Sequence, residues 1–298
     1  MNAPQTTPLV YIHGIGAQHA PENLKHDWDT ALLRRDVGQL SRFAYWADIL
    51  RPLRTARALK ASFGVQESIG PGIPPQAPIE DLAPDSGPAR DFARKLFDRI
   101  ASSAVAEEGL EPSAAIALGQ PHLARVVPGE WLRRPITWAI TRLFIHDVAA
   151  YFYEPGIRDQ IDARLEAVLV AVSAPCLLVS HSLGTVISYQ VLHRLGDRTV
   201  IPVWLTLGSP LGIAEVQDHI QRPLRVPPGV GRWCNFADRL DPVALDAELA
   251  NDFTPGDRIG DRYIKNPYRL DLTAGGPHAA LGYLADEVVH AALAANNP

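Results

Sequence analysis

Residues 176–192 read CLLVSHSLGTVISYQVL. An apolar run from Cys176 to Val179 stops at Ser180, and from Ser182 onward apolar residues recur at helical spacing. A short apolar run closed by a turn signal reads as a buried strand, and the periodic stretch after it as a helix. No spacer separates the two, so the chain must turn sharply at Ser182. Ser180 and Gly184, two residues either side, are small enough to let strand and helix pass close together. Two readings of Ser182 are open at this point. It is a nucleophile held out of the sheet on a strained corner, or a plain N-cap that bonds its own helix.

Working outward, PLVYIHGIG at 8–16 reads as a buried strand ending in a glycine turn. PENLKHDWDTALLRRDV at 21–37 has helical spacing, with acids early and arginines late. RFAYWADI at 42–49 is a second strand candidate. Beyond the central unit, IPVWLTLGSP (201–210) and the start of GRWCNFADRLDPVALD (231–246) read as strands, and GGPHAALGYLADEVVHAALA (275–294) as a turn feeding a final helix. GIRDQIDARLEAVLVAV at 156–172 is an amphipathic helix. Strands alternating with helices predict a single α/β domain over 1–298, with a mostly parallel central sheet covered by helices on both faces. From about 50 to 129 the texture changes, and GPGIPPQAPIEDLAPDSGP at 70–88 is too rich in proline and glycine for regular structure. This stretch is expected to be a helical and irregular insertion, a cap or lid.

The order of the polar residues predicts a chemistry. A serine hydroxyl is a weak nucleophile near neutral pH and needs a base, and the base needs an orienting acid. After the strand at RWCNFA come Asp238 and Asp241, and after them His278 stands in a turn before the last helix. The order Ser182, acid, His278 follows. Asp241 is preferred over Asp238 because it precedes Pro-Val in a loop rather than abutting the strand. The Leu183 amide, at a helix N-terminus, is a candidate donor to a developing oxyanion. The HGIG turn offers a second donor, the Ile15 amide, with Gly14 or Gly16 as alternatives. His13, Gly14 and Gly16 are expected to line the substrate site, with His13 orienting rather than acting as base. His181 and the pair His146–Asp147 are read as packing or supporting groups, and Ser209 as a turn former.

VYIHGIG, LLVSHSLGT, LTLGSPLG, DRLDPV and GGPHAALGYL together resemble the α/β-hydrolase superfamily of serine esterases and lipases. SHSLGT and HGIG look like its lipase and phospholipase-like branch, including the GPI inositol-deacylase type. The resemblance implies an α/β-hydrolase fold and ester hydrolysis through an acyl-enzyme. It departs at Ser180, where the usual motif has glycine. A thioesterase or amidase using the same residues is the alternative within the class. A binding protein that keeps the fold without turnover is the alternative outside it.

Composition narrows the partners. The 298-residue chain carries a formal net charge of −5, without the basic excess of nucleic-acid binders. Its two cysteines, Cys176 and Cys234, lie in apolar runs and read as buried, inert thiols. They supply neither a disulfide framework nor a zinc site. No metal or other cofactor is expected. No stretch has the pattern of a secretory signal or of a transmembrane helix, so a cytoplasmic protein is expected. The segment from Trp131 to Tyr153, with Trp138, Phe144 and Phe152, reads as a core helix, or as a cap over an acyl pocket. In the second case Arg133, Arg134 and Arg142 could face anionic headgroups in a peripheral membrane contact. The expected substrate is a small ester or lipid-like molecule; the oligomeric state is not encoded legibly.

Overall fold

Six strands, β1 (Leu9–Ile12), β2 (Ser41–Ala44), β3 (Leu177–His181), β4 (Ile201–Leu207), β5 (Val230–Asp238) and β6 (Ile259–Ile264), form one open sheet in the order β2-β1-β3-β4-β5-β6. Every neighbouring pair is parallel. This is a computed structural model, and it describes residues 7–16, 18–61, 78–107, 135–172, 175–269, 271 and 275–295. The helices are α1 (Pro21–Leu33), α2 (Ala47–Ala61), α3 (Gly87–Glu107), α4 (Pro135–Tyr153), α5 (Ile157–Val172), α6 (Leu183–Leu195), α7 (Ala214–Gln217), α8 (Ala280–Leu284) and α9 (Glu287–Ala295).

The chain divides into two compact units. One comprises Met1–Ile49 with Gly156–Pro298 and holds the whole sheet; the other is Leu50–Pro155. The second unit begins where the sequence turns irregular, and it runs past 129 to take in α4.

Period-2 alternation assigns the faces of the sheet. Leu9, Tyr11, Leu177, Val179, Val203, Leu205, Leu207, Cys234 and Phe236 point to one side. There they form a continuous apolar core with Leu24 and Trp28 of α1 and with Tyr283, Leu284, Val289 and Leu293 of α8 and α9. The alternate residues point the other way, and Ser180 meets Ser188 of α6 there. This second face carries an in-register polar row, Ser180–Thr206–Asn235–Asp261, across β3 to β6. Burial of such groups is tolerable only when they are paired. Thr206 Oγ1 donates to Asn235 Oδ1 at 2.8 Å and accepts from Trp233 Nε1 at 2.8 Å. Asn235 Nδ2 donates to the Ala247 carbonyl and to Asp261 Oδ1.

In two places local structure departs from the sequence reading. The expected strand at 42–49 ends at Ala44, and α2 begins at Ala47. Trp46 turns away because its amide donates to His13 Nε2 at 3.0 Å instead of to a sheet neighbour. The expected final helix is broken into α8 and α9 at Ala285–Asp286.

Within the second unit, α3 and α4 meet through aromatic rings. Phe92 stands edge-on to Phe152 at 5.8 Å and Phe97 to Trp138 at 5.7 Å. Arg54 clamps the buried Asp147 with two hydrogen bonds of 3.0 and 2.7 Å, and His146 Nδ1 lies 2.8 Å from the same carboxylate. Burial opposes ionisation of Asp147, but His146 and Arg54 hold it below the usual carboxylate range. The pair is therefore a structural tie. Arg142 corrects an expectation: it is buried, with its guanidinium over the Trp138 ring at 5.5 Å, and does not present itself to headgroups. Trp131, Arg133 and Arg134 lie outside the described residues.

Candidate active site

The strand β3 feeds directly into α6, and Ser182 is the single residue between them, at φ 55° and ψ −130°. A residue with a Cβ seldom adopts such a backbone, which costs on the order of 1–3 kcal/mol and persists only where its surroundings enforce it. Here they do. The Ser182 amide donates to the Leu207 carbonyl at 2.9 Å. Its carbonyl accepts from the Thr185 amide at 2.9 Å and from Thr185 Oγ1 at 2.8 Å. Ser209 Oγ in turn lies 2.8 Å from Thr185 Oγ1 and accepts from the Leu211 amide, so the expected turn former also braces the corner.

The capping alternative for Ser182 is not what the structure adopts: its side chain makes no cap hydrogen bond to α6. Its Oγ lies 2.8 Å from His278 Nε2. His278 Nδ1 lies 2.9 and 2.8 Å from the two carboxylate oxygens of Asp241. A carboxylate only accepts, so Nδ1 carries the proton and Nε2 is left to accept from the serine hydroxyl. Ser182, His278 and Asp241 are all buried.

Asp241 has further donors. The Val243 amide reaches Oδ1 at 2.9 Å and the Tyr283 hydroxyl reaches Oδ2 at 2.7 Å. Tyr283 also accepts from the Asp238 amide at 2.9 Å. Burial, with the neighbouring Asp241 charge, holds the Tyr283 phenol well above its usual range, so it stays a donor. Asp238 does not reach His278. Its carboxylate accepts from the Leu240 and Asn266 amides at 2.8 and 2.6 Å, and burial pushes its pKa up.

The glycine turn after β1 lies against this corner. A Cβ on Gly14 would come within 2.4 Å of Ser182 Cβ, and one on Gly184 within 2.6 Å of the His13 carbonyl oxygen. Both positions must be glycine for β1 and α6 to approach as they do. The Ile15 and Leu183 amides donate to no acceptor among the described residues. Gly16 sits in the same turn at φ 88°. His13 has both ring nitrogens engaged: Nε2 accepts from Trp46, so Nδ1 donates to the Gly14 carbonyl at 2.8 Å. Its ring also stacks on Trp46 at 4.6 Å. His13 thus fixes the shape of the turn.

His181 donates from Nε2 to the His278 carbonyl at 2.9 Å, and the two rings lie 4.6 Å apart. Burial, and next the neighbouring His278, hold its pKa well below the usual imidazole range. Gly208, at the end of β4 with φ 56°, leaves room for the pair: a Cβ there would stand 2.8 Å from Asp241 Oδ2 and 3.2 Å from His278 Nδ1.

Sequence reasoning missed Tyr283, Thr185, Gly208 and Asn266. Tyr283 stood five residues after His278 in a stretch already singled out, but nothing local marks a tyrosine as a carboxylate partner. Among the described residues, no group of three or more His, Cys, Asp or Glu is placed to hold a metal ion, and no helix is long and apolar enough to cross a membrane. The fold and site define an α/β protein with an open, all-parallel six-stranded sheet and a buried Ser–His–Asp hydrogen-bond chain at the strands' C-terminal ends. No family model, no curated protein and no solved structure matches the chain.

Proposed function

We propose that the protein is a serine hydrolase of α/β-hydrolase type that cleaves carboxylic esters through an acyl-enzyme on Ser182. The observation that carries the reading is the pair of contacts made by one imidazole, Nε2 to Ser182 Oγ at 2.8 Å and Nδ1 to Asp241 at 2.8 Å. That arrangement is the working geometry of a general base between nucleophile and orienting acid. Ser182 Oγ attacks the ester carbonyl carbon while its proton moves to His278 Nε2. Asp241 stabilises the imidazolium that forms. The oxyanion takes the Ile15 and Leu183 amides, at the turn and at the start of α6, where the helix dipole favours negative charge. His278 then returns the proton to the departing alkoxide, leaving the acyl group on Ser182. Water then attacks the acyl carbon while its proton moves to His278 Nε2, and His278 passes that proton to Ser182 Oγ as the acyl C–Oγ bond breaks, releasing the acid.

The substrate class is a small ester or lipid-like ester. A screen from acetyl to palmitoyl p-nitrophenyl esters measures the acyl preference, and matched thioester and amide substrates test the related chemistries. A fluorophosphonate is expected to label Ser182. The Ser182→Ala variant should lose labelling and lose turnover by a factor on the order of 10⁴–10⁶, as in other triads. A folded wild type that is neither labelled nor active on any of these substrates would mean a binding protein instead.

A further inference from the structure

Asn266 lies just beyond the end of β6 and is fully buried. Its side-chain Nδ2 donates to the Pro277 carbonyl at 3.1 Å and to the Ala279 carbonyl at 2.9 Å. Those carbonyls bracket His278. The His278 carbonyl between them is held by His181 Nε2 at 2.9 Å. Three consecutive carbonyl oxygens are therefore gripped by side-chain N–H groups from outside the turn. The orientation of the Asn266 amide is set independently, because Oδ1 accepts from the Tyr268 amide at 3.0 Å, which leaves Nδ2 for the turn. Its backbone is anchored in turn, the Asn266 amide donating to Asp238 Oδ2 at 2.6 Å. No room is left for another arrangement: a Cβ on Gly282 would fall 1.7 Å from Asn266 Oδ1 and 2.8 Å from Nδ2.

We propose that Asn266 is the positioning residue of the base. Through the two carbonyls that flank His278, and with Asp238 as its own anchor, it fixes the imidazole at hydrogen-bond distance from both Ser182 and Asp241. The role rests on His278 being the general base of the proposed hydrolase. An acid at Asp238 that never touches the imidazole thereby acquires a function: it sets the position of Asn266, and Asn266 sets the position of the turn. Removing the amide leaves the Pro277 carbonyl without its donor and the Ala279 carbonyl with only the Gly282 and Tyr283 amides, and lets the turn shift. A displacement of about 1 Å at a reacting group is enough to lower a rate on the order of 10²-fold.

The test uses the full chain and two variants that disturb the clamp by different routes. Asn266→Ala deletes the donor, and Gly282→Ala displaces it sterically. Proton NMR of the low-field His278 Nδ1 resonance reads the imidazole–Asp241 contact without reference to turnover. Steady-state kinetics on p-nitrophenyl acetate read the chemical step. In both variants the resonance should weaken or shift. The kcat should fall on the order of 10²-fold with KM little changed. A folded variant that keeps both the wild-type resonance and the wild-type kcat overturns the proposal. Failure of both variants to fold overturns it too, since Asn266 would then be a structural anchor only. A wild type without hydrolase activity removes the hydrolase reading, and the resonance still reports whether Asn266 holds the imidazole.

Discussion

Ser180 is the residue at which the sequence departs from the glycine of the usual motif, and the structure gives that departure a cause. The side chain points to the α6 face of the sheet, away from the corner. There Ser180 Oγ accepts from the Trp204 indole at 3.0 Å and lies 2.7 Å from Ser188 Oγ. Trp204 is stacked on Trp233 at 4.3 Å, so the indole cannot turn to find another acceptor. Ser180→Ala would strand a buried N–H, and we expect a loss of about 1–3 kcal/mol in urea unfolding, with Ser182 labelling retained. A loss of labelling at unchanged stability would show that Ser180 acts on the corner itself. His181 makes a second prediction at this scale. An unfolded histidine binds a proton below about pH 6.5. The buried one resists it, its pKa being held well below the usual range. The unfolded state therefore binds more protons as pH falls, and stability declines from about pH 6.5 downward to the depressed folded value. Urea midpoints measured between neutral and mildly acid pH should show that slope, and His181→Asn should flatten it.

At the scale of elements, the corner between β3 and α6 was legible because its two periodicities meet with no spacer. The flanking residues Ser180 and Gly184 are small for different reasons, one to reach Trp204 and one to clear the His13 carbonyl. The strand β6 was not legible. Its sequence, IGDRYI, buries only its first and last residues, since among the described residues β5 is its one strand partner. Edge strands carry charge on their open side and so lose the apolar signature on which a sequence reading depends. The early end of β2 was hidden for another reason: it depends on a hydrogen bond from Trp46 to His13, thirty-three residues away. The end of β4 supplies a prediction of its own. Gly208→Ala would place a Cβ against both Asp241 and His278, at a φ of 56° that an L side chain resists. Hydrolysis of p-nitrophenyl acetate should fall on the order of 10²-fold or more. Near-normal rates would mean that the imidazole–carboxylate pair tolerates being moved.

At the scale of the molecule, every strand delivers a part to the same end of the sheet. β1 leads to His13 and Gly14, β2 to Trp46, β3 to Ser182, β4 to Gly208, β5 to Asp238 and Asp241, and β6 to Asn266. The chain order of Ser182, Asp241 and His278 could be read from the sequence because it requires only types and positions. The structure puts Asp241, preferred on local context, against the His278 imidazole, whereas the contact of Asp238 with Asn266 could not be read locally. The thiols offer a check on the whole sheet. Cys176 and Cys234 are buried, and burial pushes the Cys176 thiol up to about 12 and raises that of Cys234. Neither should react with an aromatic disulfide reagent in the native protein, and both should react together as urea unfolds it. Reaction of one thiol under native conditions would expose a local opening of the sheet.

The position of β6 has a consequence for how the protein fails. Among the described residues it is the outermost strand on its side, and β5 is its one strand partner. Asn266 follows directly from it. Outer strands open at a lower free energy than the interior of a sheet. Mild denaturant should therefore loosen this margin first, releasing His278 while β1, β3 and β4 remain paired. Ester hydrolysis is expected to vanish at a lower urea concentration than the one that exposes Cys176, so that inactivation and unfolding trace two separate curves.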